Sequence, residues 1–199
     1  MSEQKLVMKN DFERVIKEQL SVAMYRENLD DIPQFSLPPE VSVRPYQEGD
    51  DKTWFNIQST TDHYSKFTSE SFQETFGTDV SLLKERVRFL TDSENNAIGT
   101  TSAWFYDLDG QHYGLIHWVA IIPEWQGRGL AKPLMTTICT LLKELGHDKG
   151  LLHTQTMRFP AIKLYSQLGF VPLVRNEKEQ IAWDIILDKI KADYRFIEA

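Results

Sequence analysis

The sequence predicts a mixed α/β fold, α+β in character, with a predominantly antiparallel twisted sheet flanked by helices. Three observations point there. An apolar run at 115–122, too short for a typical helix and rich in β-branched and aromatic residues, reads as a strand buried on both faces. It runs through a turn with two glycines into a segment of helical apolar spacing, and a meander of two alternating segments precedes it. The chain has 199 residues, 41% hydrophobic and 26% charged, which suits one globular domain with an N-terminal addition and would cramp two.

Taken in order, residues 10–28 place Phe12, Val15, Ile16, Leu20 and Ala23 roughly on one face, with Asn10 as N-cap and Glu13 three residues on, predicting a helix. Residues 31–40, with three prolines, read as an extended connector. Residues 1–40 are therefore set apart from a main domain at 41–187 and a charged tail at 188–199. The main domain opens with Val41, Val43 and Pro45 alternating against Ser42 and Arg44, a strand, followed by a helix of about ten residues after Gly49-Asp50 that carries Trp54, Phe55 and Ile57. Tyr64, Phe67, Phe72 and Phe76 predict a loop and short helix over a pocket, or ordinary core packing.

Residues 86–90 and 97–106 read as antiparallel strands joined by the polar turn at 92–96. Pro123 ends the central strand. After the turn Gln126-Gly127-Arg128-Gly129-Leu130-Ala131, the residues Leu134, Ile138, Leu141, Leu142 and Leu145 recur at helical spacing, with Gly146 as the stop. Strand, glycine turn and helix start leave backbone N–H groups in a concave loop at the positive end of a helix dipole, which implies a phosphate-bearing ligand. Beyond it, 151–156 predicts a strand, 160–168 a helix with proline in its first turn, and 170–173 and 181–187 two final strands, the last by alternation of Ile181, Trp183, Ile185 and Leu187.

The formal charge of −7 and a pI near 5.3 argue against non-specific attraction to nucleic acid or anionic lipid and mildly favour a cationic amine. No apolar run approaches a membrane span, no repeat is present, and the N-terminus does not resemble a signal peptide, so a cytoplasmic location is expected. The single cysteine, Cys139, excludes an internal disulfide framework and lies beside Ile138 as a core residue rather than a nucleophile. No metal is expected.

The pattern Gln126-x-x-Gly129-x-Ala131 after a strand ending Ile121-Ile122-Pro123-Glu124, with Ala161-x-x-x-Tyr165-x-x-x-Gly169-Phe170 further on, resembles the GCN5-related N-acetyltransferase (GNAT) superfamily. The resemblance covers about 41–187. It implies an acyl-CoA N-acyltransferase fold in which the fourth and fifth strands splay apart, and an acetyl-CoA-dependent N-acetyltransferase acting on a primary amine of a small molecule or peptide. It also implies acetyl-CoA as cofactor, with the pyrophosphate on the amides of Gly127, Arg128, Gly129, Leu130 and Ala131, and with Arg128 and Lys132 adding positive charge. The pantetheine arm would pair with the main chain of Val119, Ala120 and Ile121, which could also place an N–H on the thioester carbonyl.

Tyr165 matches the family's acid that protonates the departing thiolate; the bland reading is a packed helix aromatic. His117, two residues before Val119 and so expected on its face, is the candidate base, against a buried histidine bonded to backbone. Glu124 reads as a solvated loop carboxylate. Where many members carry a cofactor-contacting asparagine, seven residues before Tyr165, this chain has Arg158, which could reach the cofactor or be solvated. A catalytically inactive acyl-CoA-binding module is the alternative, and a dinucleotide-binding oxidoreductase is disfavoured for want of a G-x-G-x-x-G turn. A homodimer is possible on this reading, and the acceptor pocket has no recognisable code.

Overall fold

The computed structural model describes residues 19–195, with side chains described as far as residue 190. The chain divides into two compact units: Glu27–Gly150, and the described residues up to Arg26 together with those from Leu151 on.

The Glu27–Gly150 unit is built on four strands in the order β2-β3-β4-β5, where β2 is Ser42–Pro45, β3 Val87–Thr91, β4 Ala97–Leu108 and β5 Gln111–Ile121. All three pairings are antiparallel, with Val43 opposite Leu90, Phe89 opposite Thr100, and Ala103 opposite Ile116. The strands carry a different core on each face, as the period of two requires. One face packs Phe89 and Ala120 with Trp54, Ile57, Phe72, Phe76 and Leu83 from three helices, α1 (Asp50–Thr61), α2 (Ser71–Phe76) and α3 (Val80–Arg86). The other packs Leu90 and Ile98 with Leu130 and Leu134 at the start of α4 (Ala131–Glu144).

Each helix starts for a local reason. Gly49, at φ 95°, turns the chain into α1, where Asp50 accepts from the Gln47 N–H at 2.7 Å and from both terminal nitrogens of Arg44 at 2.6 and 3.0 Å. This bidentate contact neutralises a buried carboxylate and ties α1 to β2. Asp79 caps α3 through the Ser81 and Leu82 amides, a helix start that the polar cap and following apolar pair announce and that was not among the predicted elements. In α4, Leu134, Ile138 and Leu142 are fully buried, on the order of 1.5–3 kcal/mol each. Cys139 lies fully buried beside them, and Gly146 at φ 83° closes the helix as expected.

The second unit places β6 (Gly150–Gln155), β1 (Ser21–Arg26) and β7 (Val171–Leu173) side by side, with Tyr25 opposite Val171 in an antiparallel pair. Two helices belong to it, α5 (Phe159–Gln167) and α6 (Glu177–Arg195). Two expectations are overturned here. The helix predicted over 10–28 fails from residue 19 on: Gln19 sits in a turn at φ 49°, and Ser21–Arg26 is a strand whose Val22, Ala23 and Met24 are all buried, a short apolar run that pairing with β7 claims over helical spacing. Residues 10–18 of that prediction lie outside the described residues. The strand predicted over 181–187 is part of α6: Ala182, Trp183 and Ile186 are buried at helical spacing, whereas Ile181, which alternation placed inside, is 40% exposed. The helix also continues through the segment read as a tail, to Arg195.

Candidate functional site

The central strand is not regular where the chemistry was expected. Thr100 lies opposite Ala120 and Ser102 opposite His117, so Trp118 and Val119 together face the single residue Thr101. This is a β-bulge, and Trp118 carries it at φ 52°, a left-handed conformation that a bulky side chain adopts only when its surroundings impose it. Two buried side chains hold the carbonyls there: the Ser102 hydroxyl donates to His117 O and the Gln58 amide to Trp118 O, both at 3.0 Å. The Trp118 ring stands edge-on to Trp54 at 5.6 Å and to Phe67 at 5.3 Å.

The bulge corrects the placement of His117. Opposed residues share a face, so His117 lies with Ala120 on the α1–α3 side, while Val119 and Ile121 pack towards α4. The extra residue breaks the alternation on which the expectation rested. His117 is half-buried, with Phe76 at 6.1 Å and the Trp118 ring at 5.2 Å. Of the aromatics predicted to roof a pocket, Phe72 and Phe76 are core and Phe67 packs on Trp54, while Tyr64 is 51% exposed. Packing wins for all but Tyr64. The buried reach of β5 is also shorter than expected, 113–116 and 120, with 117–119 half-buried.

After β5 a 3-10 turn, Pro123–Trp125, leads into the glycine turn. Gln126 donates its side-chain amide to Ile121 O at 2.7 Å, pinning the turn to the strand end. Gly127 and Gly129 both adopt left-handed φ, 73° and 77°, and flank Arg128, while Leu130 is right-handed and begins α4. Such alternation turns successive N–H groups towards one concavity. Residues 126–129 are exposed, a Cβ on either glycine would meet nothing within 4 Å, and no side chain caps the α4 amides. The cradle is open, which fits an external anion. Arg128 stacks over the Trp125 ring at 4.4 Å and donates to Glu124 O at 3.0 Å; Lys132 lies over Phe35 at 5.2 Å. The Glu124 side chain is on an exposed residue, as expected.

The other unit holds Arg158 and Tyr165. Arg158 is the residue before α5 and donates Nε to Gln155 Oε1 at 2.6 Å, so it is tethered rather than loosely solvated. Tyr165 is buried on α5, and burial pushes its phenol up to about 12, opposed by the positive charge of Arg158. Its hydroxyl has no hydrogen-bond partner among the described residues. The Gly169-Phe170 element also has a physical reason: Arg26 donates to Leu168 O at 2.9 Å, and a Cβ on Gly169 would collide with that guanidinium.

Gln58 and Trp118 are the residues that sequence reasoning missed. Gln58 had a signal: it occupies the buried stripe of α1 four residues after Trp54, where a polar side chain needs a partner. Among the described residues no three histidine, cysteine or acidic side chains could hold a metal ion, and no helix is long and apolar enough to cross a membrane.

The chain is 29% identical over 146 residues to the mycothiol acetyltransferase of Pseudarthrobacter chlorophenolicus, a match covering 70% of this chain and 45% of that protein. It thus spans less than half the length of that relative. Among solved structures, the GCN5-related N-acetyltransferase of Sphaerobacter thermophilus superposes with TM-score 0.63 at 17% identity, over 81% of this chain and 52% of that one. The ribosomal-protein-S18-alanine N-acetyltransferase of Escherichia coli gives 0.54 at 17% identity, over 67% and 79%. At these identities the two structures establish likeness of fold. The family model for the acetyltransferase (GNAT) family matches residues 53–170, more than half of the sequence and all of the strand, bulge and glycine turn described above, and the chain belongs to that family.

Proposed function

We propose that the chain is an acetyl-CoA-dependent N-acetyltransferase that moves an acetyl group to a primary amine of a small molecule or peptide by direct attack. The observation that carries this reading is the open cradle: two left-handed glycines and an uncapped helix start, placed directly after a bulged strand. Its donors are backbone amides with Arg128 and Lys132 beside them, the chemistry that a pyrophosphate requires. The mycothiol acetyltransferase relative is named for a small molecule, which favours that class of acceptor.

Acetyl-CoA supplies an acetyl group already activated as a thioester. The amides from Gly127 to Ala131 would hold its pyrophosphate, and the main chain of Val119, Ala120 and Ile121 its pantetheine arm. An amine of pKa about 10 arrives protonated and must lose a proton before it attacks. The imidazole of His117 would take that proton, with Phe76 and Trp118 limiting water around the ring. The Tyr165 hydroxyl would give one to the departing sulfur. A phenol held near 12 remains protonated at neutral pH, as a donor must. Arg158, standing where many family members have asparagine, would temper the charge on that oxygen rather than copy the asparagine contact.

The test is turnover of acetyl-CoA with a panel of small amines and peptide N-termini, followed by His117→Gln. The variant should lose roughly a hundredfold in kcat/KM, with acetyl-CoA affinity retained. An absence of both turnover and calorimetric binding of acetyl-CoA in the wild type would defeat the reading.

A further inference from the structure

The bulge at Trp118 needs a cause, and the side chains around it supply one. An aromatic residue at φ 52° in mid-strand is not a conformation that the chain adopts unaided. The peptide planes on either side are set by two donors. Ser102 takes His117 O from the neighbouring strand, as cross-strand neighbours can. Gln58 is different in kind: it reaches from α1, sixty residues away in sequence, is 2% exposed, and donates to Trp118 O at 3.0 Å. The partner is a carbonyl, so the Gln58 atom facing it must be the amide nitrogen.

All peptide bonds in the described residues are trans, so Trp118 O and the Val119 N–H belong to one planar unit and point in opposite directions. Drawing the carbonyl towards α1 aims that N–H away from α1. The helix that does this is anchored at its own start by the bidentate pair of half-buried Arg44 with buried Asp50, which gives Gln58 a fixed origin two turns further on. The Trp118 ring, held edge-on to Trp54 and Phe67, resists rotation of the same unit.

We infer that Gln58 is a positioning residue for acetyl transfer: by holding Trp118 O it orients the Val119 N–H towards the thioester, so that the amide meets charge as it develops on the carbonyl oxygen. The inference rests on the acetyltransferase reading above. Its effect would fall on kcat more than on acetyl-CoA affinity, because the interaction strengthens as the carbonyl becomes an oxyanion.

The experiment uses the full chain with Gln58→Met, which keeps the volume and removes the donor, and Gln58→Glu, which restores a donor only when protonated. Gln58→Met should lower kcat about tenfold or more, with KM for acetyl-CoA within about twofold, and should shift the Val119 amide resonance in nitrogen–proton spectra. Gln58→Glu should recover towards wild type as pH falls. Wild-type kcat together with an unmoved Val119 resonance in Gln58→Met would overturn the inference. If that variant does not fold, a Gln58→Glu enzyme with the wild-type pH dependence and an unmoved Val119 resonance would overturn it instead. The resonance is read in the free protein and reports the clamp even if wild-type turnover fails, so failure of the clamp is distinguishable from failure of the acetyltransferase reading.

Discussion

Tyr165→Phe removes one oxygen and keeps the ring, and it probes stability and chemistry separately. In the folded chain burial disfavours the phenolate and holds the phenol at about 12 against an ordinary value of 10.0, a gap of two units. At about 1.4 kcal/mol per unit, the folded state resists ionisation by about 3 kcal/mol. The sign follows from which state ionises first. Below about pH 10 neither state has lost the proton and stability is full; between about 10 and about 12 the unfolded chain releases it while the folded chain does not, and stability falls. Denaturant melts across this range should therefore show a decline in the wild type that is shallower in Tyr165→Phe, the difference approaching about 2–3 kcal/mol at the alkaline end. Near neutral pH the variant should be as stable as the wild type, because the hydroxyl has no hydrogen-bond partner among the described residues to lose. Turnover supplies the second measurement: kcat should fall by roughly a hundredfold or more, and less with a better leaving group. Parallel alkaline melts would refute the burial argument. Wild-type turnover, with chemistry shown to be rate-limiting, would refute the acid role.

Gly129→Asp should fold, since a Cβ there meets no atom within 4 Å and aspartate tolerates the left-handed φ of 77°, yet its carboxylate should abolish measurable acetyl-CoA binding by calorimetry. Gly169→Ala should cost about 1–3 kcal/mol in chemical denaturation, because φ is 82° and the new methyl would meet the Arg26 guanidinium; Arg26→Met in the same background should recover part of the loss. His147 is buried, and burial first, then Arg86 and His112, hold its pKa below the usual histidine range, against a weaker opposite pull from Asp148. Arg86 Nη1 lies 3.3 Å from its Nε2 and can only donate, an arrangement that favours the neutral ring over the charged one. A depressed pKa means stability present above about 6.5 and lost as pH falls through the folded value, so acid melts of His147→Gln should decline less steeply than those of the wild type.

The elements that sequence reading recovered are those whose period is written locally. Leu134, Ile138 and Leu142 specify α4 by spacing alone, and Gly127, Gly129 and Gly146 mark its two ends. The failures came where tertiary partners decide. In Ser21–Arg26 three consecutive buried residues satisfy helix and strand equally until β7 pairs with them. At Ile181 to Leu187 alternate apolar residues mimic a strand, and only the burial of adjacent Ala182 and Trp183 reveals the helix. The site divides likewise: the glycine turn was legible because backbone conformation there demands glycine, whereas the bulge that moves His117 to the face of Ala120 is held by Gln58 and Ser102, and even the buried-stripe position of Gln58 does not say which carbonyl it meets.

Cys139 is the chain's one thiol and is fully buried on the helix whose first residues form the cradle. A thiol-specific reagent can reach it only when α4 opens, so its labelling rate is a built-in clock for that opening, with no engineered reporter. A slowing of Cys139 labelling as acetyl-CoA is added would test whether that ligand occupies the cradle and closes the helix behind it, and unchanged labelling at saturating acetyl-CoA would count against the coupling.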